Sequence, residues 1–115
     1  MYQMPVFFGS SKNKARLALD HSTTAALVTS DICSNCKTKA YKPGTSLTTF
    51  NENTKWQFDL DQSGNPLTLQ VIEFKDSVCL TPEDDICIKE FEFYSIYNQK
   101  GLNYKLDGVL GLAPI

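Results

Sequence analysis

Short apolar segments separated by turn-forming residues run through the first third of the 115-residue chain. Residues 6–8, 16–19 and 25–29 are three such segments, and Gly9-Ser10-Ser11-Lys12-Asn13 separates the first two. Glycine and small polar side chains of this kind favour turns. The pattern therefore predicts short strands. No stretch of the chain has the apolar spacing of a convincing amphipathic helix.

The same pattern continues in longer segments toward the end of the chain. Residues 54–60 alternate loosely, and Asp61-Gln62-Ser63-Gly64-Asn65-Pro66 predicts a hairpin connection after them. The next segment has a period of two, which places Leu67, Leu69 and Val71 on one face and residues 68, 70 and 72 on the other. A further alternating segment contains Phe91 and Phe93. Together these segments predict an all-β domain of the sandwich or barrel type.

Composition and charge narrow the class of protein without identifying a function. A hydrophobic content of 42% and a charged content of 21% are those of an ordinary globular domain, and the length suits one domain. The net charge is −2 and the basic residues are scattered, so we expect no nucleic-acid partner. No apolar run approaches about 18 residues, so we expect no membrane span. The opening residues show no secretory signal.

Four cysteines form two local pairs, Cys33-x2-Cys36 and Cys79-x7-Cys87. An even number of cysteines in local pairs fits two disulfides that close small loops, which is typical of an oxidising compartment. The alternative is a structural zinc site of four thiolates, as in an assembly subunit. We expect the disulfides Cys33–Cys36 and Cys79–Cys87 and no metal. The segment Glu83-Asp84-Asp85 between the second pair reads as a solvated loop tip.

Two segments resemble the active-site strands of pepsin-like aspartic proteases. Residues 17–24, Leu-Ala-Leu-Asp-His-Ser-Thr-Thr, resemble the strand that delivers a catalytic aspartate in the family pattern Asp-Thr/Ser-Gly-Ser/Thr. Residues 106–113, Leu-Asp-Gly-Val-Leu-Gly-Leu-Ala, resemble the Asp-Gly-Ile/Val-Leu-Gly-Leu strand that lies beside it. The resemblance makes Asp20 the candidate catalytic residue and places His21, Ser22 and Thr23 in the active-site loop.

Further segments follow the order of the same family. Gly9 precedes Asp20 by eleven residues, and Ala26-Leu27-Val28 resembles the family's Leu-Trp-Val strand. A cysteine loop, the segment 41–48 and Asp76-Ser77-Val78 also resemble family motifs. The resemblance covers residues 2–114. It implies that residues 1–115 form the N-terminal lobe of a pepsin-like domain, a single lobe of packed antiparallel sheets that belongs to a longer chain or assembly, with Asp20 in a loop at the open edge.

The sequence departs from the family pattern at the residues that carry the chemistry. His21 and Ser22 replace the family's hydroxyl residue and glycine. A histidine is bulkier and can be cationic near pH 6.5, and a glycine lets its backbone N–H approach a carboxylate closely. The family's flap tyrosine is also missing, so Trp56 and Phe58 are the candidates for the cleft and flap.

The resemblance and these departures together suggest a degenerate, non-proteolytic domain that acts as a binding or structural module. The alternative is an active aspartic endopeptidase that cleaves peptide bonds through an aspartate dyad and water. A second protease-like lobe or another protein subunit would complete that dyad. We expect a peptide or protein ligand in the cleft and no cofactor. The expected location is secretory, vacuolar or lysosomal, or extracellular.

Overall fold

The computed structural model describes residues 3–9, 12–20, 23–42, 49–62, 64–83, 85–102 and 106–112, with only the backbone described for residues 49–54 and 62. These ranges contain strands and no helix, so the predicted all-β class is confirmed. The strands are β1 (Gln3–Phe8), β2 (Asn13–Asp20), β3 (Ala26–Thr29), β4 (Thr49–Gln62), β5 (Asn65–Cys79), β6 (Cys87–Lys100) and β7 (Gly108–Gly111). In the described residues no helix is long and apolar enough to cross a membrane.

All seven strands belong to one sheet, in the order β1-β2-β7-β3-β6-β5-β4. β1 also pairs with β5 through Phe7↔Cys79 and Phe8↔Val78, so six strands close into a barrel. Within the described part of the chain β4 pairs with β5 alone and forms the outer edge. Two pairings are parallel, β2 with β7 and β3 with β6. β7 therefore lies between two strands that precede it by about 80 to 90 residues.

The predicted hairpin lies where the sequence indicates it. β4 and β5 pair up to Gln62↔Asn65, and Gly64 takes a φ of 81° in the connection. A positive φ of this size favours glycine because it has no Cβ. The paired strands reach beyond the predicted segment 54–60. The polar residues at the ends of these long strands lack apolar–polar alternation in the sequence. Pairing between β4 and β5 extends the hairpin over them.

β5 contributes to two apolar clusters, one on each side of the strand. Leu67, Leu69 and Val71 are buried in the cluster that also contains Leu27 and Val109. Ile72, Phe74 and Val78 are buried in the cluster inside the barrel, with Val6, Phe8 and Phe93. The sequence placed Ile72 on the face opposite Leu69, which is correct, but that face is also buried. A long strand that is covered on both faces from its midpoint loses the simple apolar–polar alternation.

The cysteines form the two predicted disulfides. Cys33 and Cys36 have Cα atoms 5.4 Å apart, and Cys79 and Cys87 have Cα atoms 4.0 Å apart. The four sulfur atoms are thus bonded to one another and none is available as a zinc thiolate. The alternative of a four-cysteine zinc site was wrong. The second disulfide joins the end of β5 to the start of β6.

A buried tyrosine and a buried aspartate are joined inside the barrel. The Tyr41 hydroxyl donates to Asp76 Oδ2 at 2.7 Å, and the Ser77 N–H donates to Asp76 Oδ1 at 2.7 Å. Tyr41 is 0% exposed, and its ring packs edge-on against Phe93 with the centroids 5.0 Å apart. A buried carboxylate is costly unless donors surround it, so this bond permits a polar group in an apolar core.

Replacing Tyr41 with phenylalanine tests this interaction. Tyr41→Phe keeps the ring but removes a donor to a buried carboxylate, which should lower the free energy of unfolding by about 1.5–3 kcal/mol. Equilibrium urea denaturation measures the change. The control Tyr94→Phe, at a half-buried ring on β6, should cost less than about 0.5 kcal/mol. Equal effects of the two substitutions would contradict the assigned role of Tyr41.

Candidate functional site

Asp20 is the last residue of β2 and is 8% exposed. The sequence placed it in a loop, and this detail was wrong, because the parallel pairing with β7 continues to Asp20↔Gly111. Its carbonyl oxygen accepts a hydrogen bond from the Leu112 N–H at 2.6 Å. The main chain of Asp20 is therefore held by the sheet, so the position from which its side chain extends is fixed.

The loop that follows Asp20 is described in part. His21 and Ser22 lie outside the described residues. Thr23 is 8% exposed, and its Oγ1 accepts a hydrogen bond from the Ala25 N–H at 3.1 Å. This bond across two residues is a hydroxyl turn that leads the chain into β3. The candidate loop is thus buried at both of its described ends.

β7 positions the site because it runs between β2 and β3. It pairs with β2 from Leu17↔Gly108 to Asp20↔Gly111, and with β3 from Ala26↔Leu110 to Val28↔Gly108. A strand that pairs on both sides has hydrogen bonds along both of its backbone edges, so even a strand as short as β7 is firmly held. Val109, at its centre, is 0% exposed.

The two glycines of β7 are required by close backbone contacts. A Cβ on Gly111 would collide with the Thr23 carbonyl oxygen and lie 2.7 Å from the Ala25 nitrogen. A Cβ on Gly108 would collide with the carbonyl group of Leu27. These contacts give a physical reason for the Gly-Val-Leu-Gly spacing, because only glycine allows backbone to approach backbone this closely.

Asp107 connects the three strands at the other end of β7. Its Oδ2 accepts from the Arg16 N–H at 2.7 Å, and its carbonyl oxygen accepts from the Thr29 N–H at 2.7 Å. Arg16 and Asp20 are four positions apart on β2, about 13 Å along an extended chain. Asp107 therefore has a structural role and is too far away to share a proton with Asp20.

Trp56 and Phe58 both lie on β4. Trp56 is 54% exposed and pairs with Val71, whereas Phe58 is half-buried and pairs with Leu69. The Phe58 ring packs edge-on against Tyr94, with centroids 5.0 Å apart. β4 and β2 are not neighbours in the sheet. The hairpin of the predicted flap exists, and the approach of these two rings to Asp20 stays a prediction.

Tyr94 is a part of this surface that the sequence did not assign to it. Tyr94 lies on β6, and its contact with Phe58 on β4 arises because both strands pair with β5. Burial raises the pKa of the Tyr94 phenol, and the charges of Glu73 and Glu92 raise it further. The hydroxyl therefore stays neutral at physiological pH and is available as a hydrogen-bond donor.

Comparison with known proteins identifies the fold. No protein-family model matches the sequence, and no curated protein matches it. Among solved structures 100 chains match, one of which is the aspartic proteinase from Irpex lacteus, with a TM-score of 0.69 and 18% sequence identity. The match covers 99% of this chain and 28% of the proteinase chain. The chain therefore has an acid-protease-like fold and spans less than a third of the matched proteinase.

Replacing Gly111 with alanine tests the close approach of β7 to the site. Because Gly111→Ala drives a methyl group into the backbone of residues 23 and 25, the free energy of unfolding should fall by about 3 kcal/mol or more. Gly64→Ala is the matched control: it has nothing within 4 Å and only a positive φ, so it should cost about 1–2 kcal/mol. Chemical denaturation compares the two. A smaller loss at Gly111 than at Gly64 would contradict the described packing.

Proposed function

We propose that this chain is the N-terminal lobe of a degenerate pepsin-like aspartic protease domain that does not cleave peptide bonds and acts as a binding or structural module. The observation that most supports this proposal is the packing around the described ends of the loop after Asp20. Its described ends, Asp20 and Thr23, are buried, and Gly111 leaves no room for a methyl group beside Thr23. His21 and Ser22, which follow Asp20 in the sequence, are each larger than the residue of the family pattern that they replace.

The chemistry of the family supports the same proposal. Aspartic proteases use two carboxylates that share one proton, so that one carboxyl donates a proton while the other activates water. The sequence has one motif of this kind, at Asp20. The residue after Asp20 is a histidine in place of the family's threonine or serine, so the hydroxyl that the family pattern has at this position is missing.

A second candidate function is an active aspartic endopeptidase completed by a second lobe or subunit. It is supported by the retained Asp20 at a fixed strand end and by the likeness to an aspartic proteinase of which this chain covers 28%. The completing lobe would supply the second carboxylate and the other wall of a peptide cleft. Neither candidate function requires a metal or an organic cofactor.

The two disulfides suggest an oxidising environment, because cytosolic thiols are kept reduced. We place the protein in the secretory pathway, in a vacuole or lysosome, or outside the cell.

Cleavage of a denatured protein substrate between about pH 3 and about pH 7 by the full-length native protein distinguishes the two candidates, because the endopeptidase needs a second carboxylate from outside this chain. The full-length wild type and its Asp20→Asn variant should both leave the substrate intact, because the proposed domain lacks a working dyad. Near-ultraviolet circular dichroism, which reports the packing of buried rings such as Phe93, confirms that both samples are folded. Acid-range cleavage that Asp20→Asn abolishes would overturn the proposal in favour of the endopeptidase.

A further inference from the structure

Basic side chains that are scattered in the sequence come together in the fold. Segments 12–16, Lys-Asn-Lys-Ala-Arg, and 37–42, Lys-Thr-Lys-Ala-Tyr-Lys, carry six of the eleven basic residues and none of the thirteen acidic residues. The chain as a whole has a net charge of −2. The two segments are therefore a strongly basic part of an otherwise acidic chain, and we call them together the basic patch.

Hydrogen bonds hold the two segments of the basic patch side by side. The Lys42 N–H donates to Asn13 Oδ1 at 3.2 Å, which ties the end of the second segment to the start of β2. Thr29 on β3 fixes the other end, because its Oγ1 lies 3.2 Å from Thr38 Oγ1 and accepts a hydrogen bond from the Ala40 N–H at 3.2 Å. The patch is thus built by tertiary contacts, which sequence spacing does not show.

A polar pocket of about 270 Å³ lies between the two segments and is lined by Lys14, Arg16, Thr38 and Asp107. Lys14 and Arg16 are exposed and lie two positions apart on β2, so their side chains leave the same face of the strand about 7 Å apart. Asp107 is held beside Arg16, because its Oδ2 accepts from the Arg16 N–H at 2.7 Å and its own N–H donates to the Arg16 carbonyl oxygen at 2.9 Å. Two cations, a fixed carboxylate and a fixed hydroxyl therefore line one cavity.

The remaining lysines of the second segment extend the positive charge beyond the pocket. Lys37 and Lys39 are exposed and directly precede and follow Thr38, so their backbone adjoins the pocket, and Lys42 is exposed at the end of the segment. A surface that covers these cations has to supply anionic groups, because a buried charge without a partner is costly. Whatever lies against the basic patch therefore carries negative charge.

We propose that the basic patch binds a sulfated polysaccharide, with a sulfate group at Lys14 and Arg16 and sugar hydroxyls at Asp107 and Thr38. Sulfate oxygens accept charge-assisted hydrogen bonds from both cations, and the carboxylate accepts hydrogen bonds from hydroxyl groups. The other lysines of the patch bind sulfates of the neighbouring sugar units. The assignment does not depend on whether Asp20 is catalytic.

Other anionic partners fit these observations less well. Stable attachment to an anionic membrane uses apolar side chains together with cations, and none of the large apolar side chains that are exposed in the described residues lines the pocket. Single-stranded nucleic acid is held by aromatic rings that stack on its bases, and the described lining residues include no aromatic ring. The Asp107 carboxylate repels the closely spaced carboxylates of an acidic polypeptide, whereas it accepts hydrogen bonds from sugar hydroxyls.

A short labelled heparin fragment tests the proposal on the full-length native protein. Fluorescence anisotropy should show that the fragment binds at least about tenfold more tightly than the same fragment without its sulfates, because only the sulfates are partners for the cations. A polyglutamate peptide of equal charge should also bind at least about tenfold more weakly, because it offers no hydroxyl to Asp107. Binding of heparin should weaken as salt increases, since exposed charges are screened.

Two double variants locate the binding surface. Lys14→Gln with Arg16→Gln removes both cations of the pocket, so it should weaken heparin binding by about tenfold or more. Lys89→Gln with Lys100→Gln is the matched control, because it changes the net charge equally at exposed positions of β6 outside the basic patch, and it should change the affinity by less than about twofold. Circular dichroism confirms that both variants keep the wild-type fold.

A single substitution tests the role of the carboxylate in the choice of ligand. Asp107→Asn keeps the shape of the side chain and an oxygen that accepts from the Arg16 N–H, but it removes the negative charge. Polyglutamate should therefore bind the variant at least about threefold more tightly than it binds the wild type. Unchanged binding of polyglutamate would contradict the role assigned to Asp107.

Four further results would overturn the proposal. Equal binding of heparin with and without sulfates would exclude recognition of its charge, and equal losses in the two double variants would exclude the pocket. Polyglutamate that binds as tightly as heparin would make an acidic polypeptide the partner. Absence of heparin binding, with a lower melting temperature of the Lys14→Gln and Arg16→Gln variant, would show that an acidic part of the same protein covers the patch. Asp20→Asn should leave heparin binding unchanged.

Discussion

The structure depends on the close packing of β7 between β2 and β3. This strand is four residues long, yet it pairs with both neighbours and carries a fully buried valine at its centre. Its insertion requires glycine at both ends, because backbone atoms of Leu27 and Thr23 occupy the space of a side chain. The same insertion joins β2 to β3 in the sheet and carries β2 as far as Asp20, and the entry to β3 is fixed at Thr23.

The two faces of the barrel differ in chemistry. One face carries Asp20, which is buried and whose carbonyl oxygen accepts a hydrogen bond from the Leu112 N–H. The opposite face opens into an apolar groove beside the Cys79–Cys87 disulfide. The Tyr41–Asp76 hydrogen bond lies in the interior between them.

The sequence predicted well which segments form strands, and it predicted less well where the strands end and which strands pair. Turn residues and period-two alternation located the hairpin at Gly64, and local cysteine spacing predicted both disulfides. The apolar segment 16–19 stopped one residue short of Asp20, because the last pair of β2 depends on β7, about 90 residues away. The groove was missed for a related reason. Leu80, Ile86 and Ile88 are ordinary core residues in the sequence, and only the barrel closure shows that nothing in the described chain covers them. Properties that arise from contacts between distant residues leave no local signal.

Binding of a statine-type transition-state analogue tests the central claim most directly, since such compounds mimic the tetrahedral intermediate that an aspartate dyad stabilises. Isothermal titration calorimetry at about pH 4, where active aspartic proteases hold one shared proton, gives the affinity without any need for turnover. The measurement uses the full-length native protein, because a second lobe or subunit would supply the other carboxylate of a dyad. The account predicts no measurable binding by this protein in its folded state. Tight binding that is lost in Asp20→Asn would contradict it and would show that the site keeps the geometry of a working enzyme.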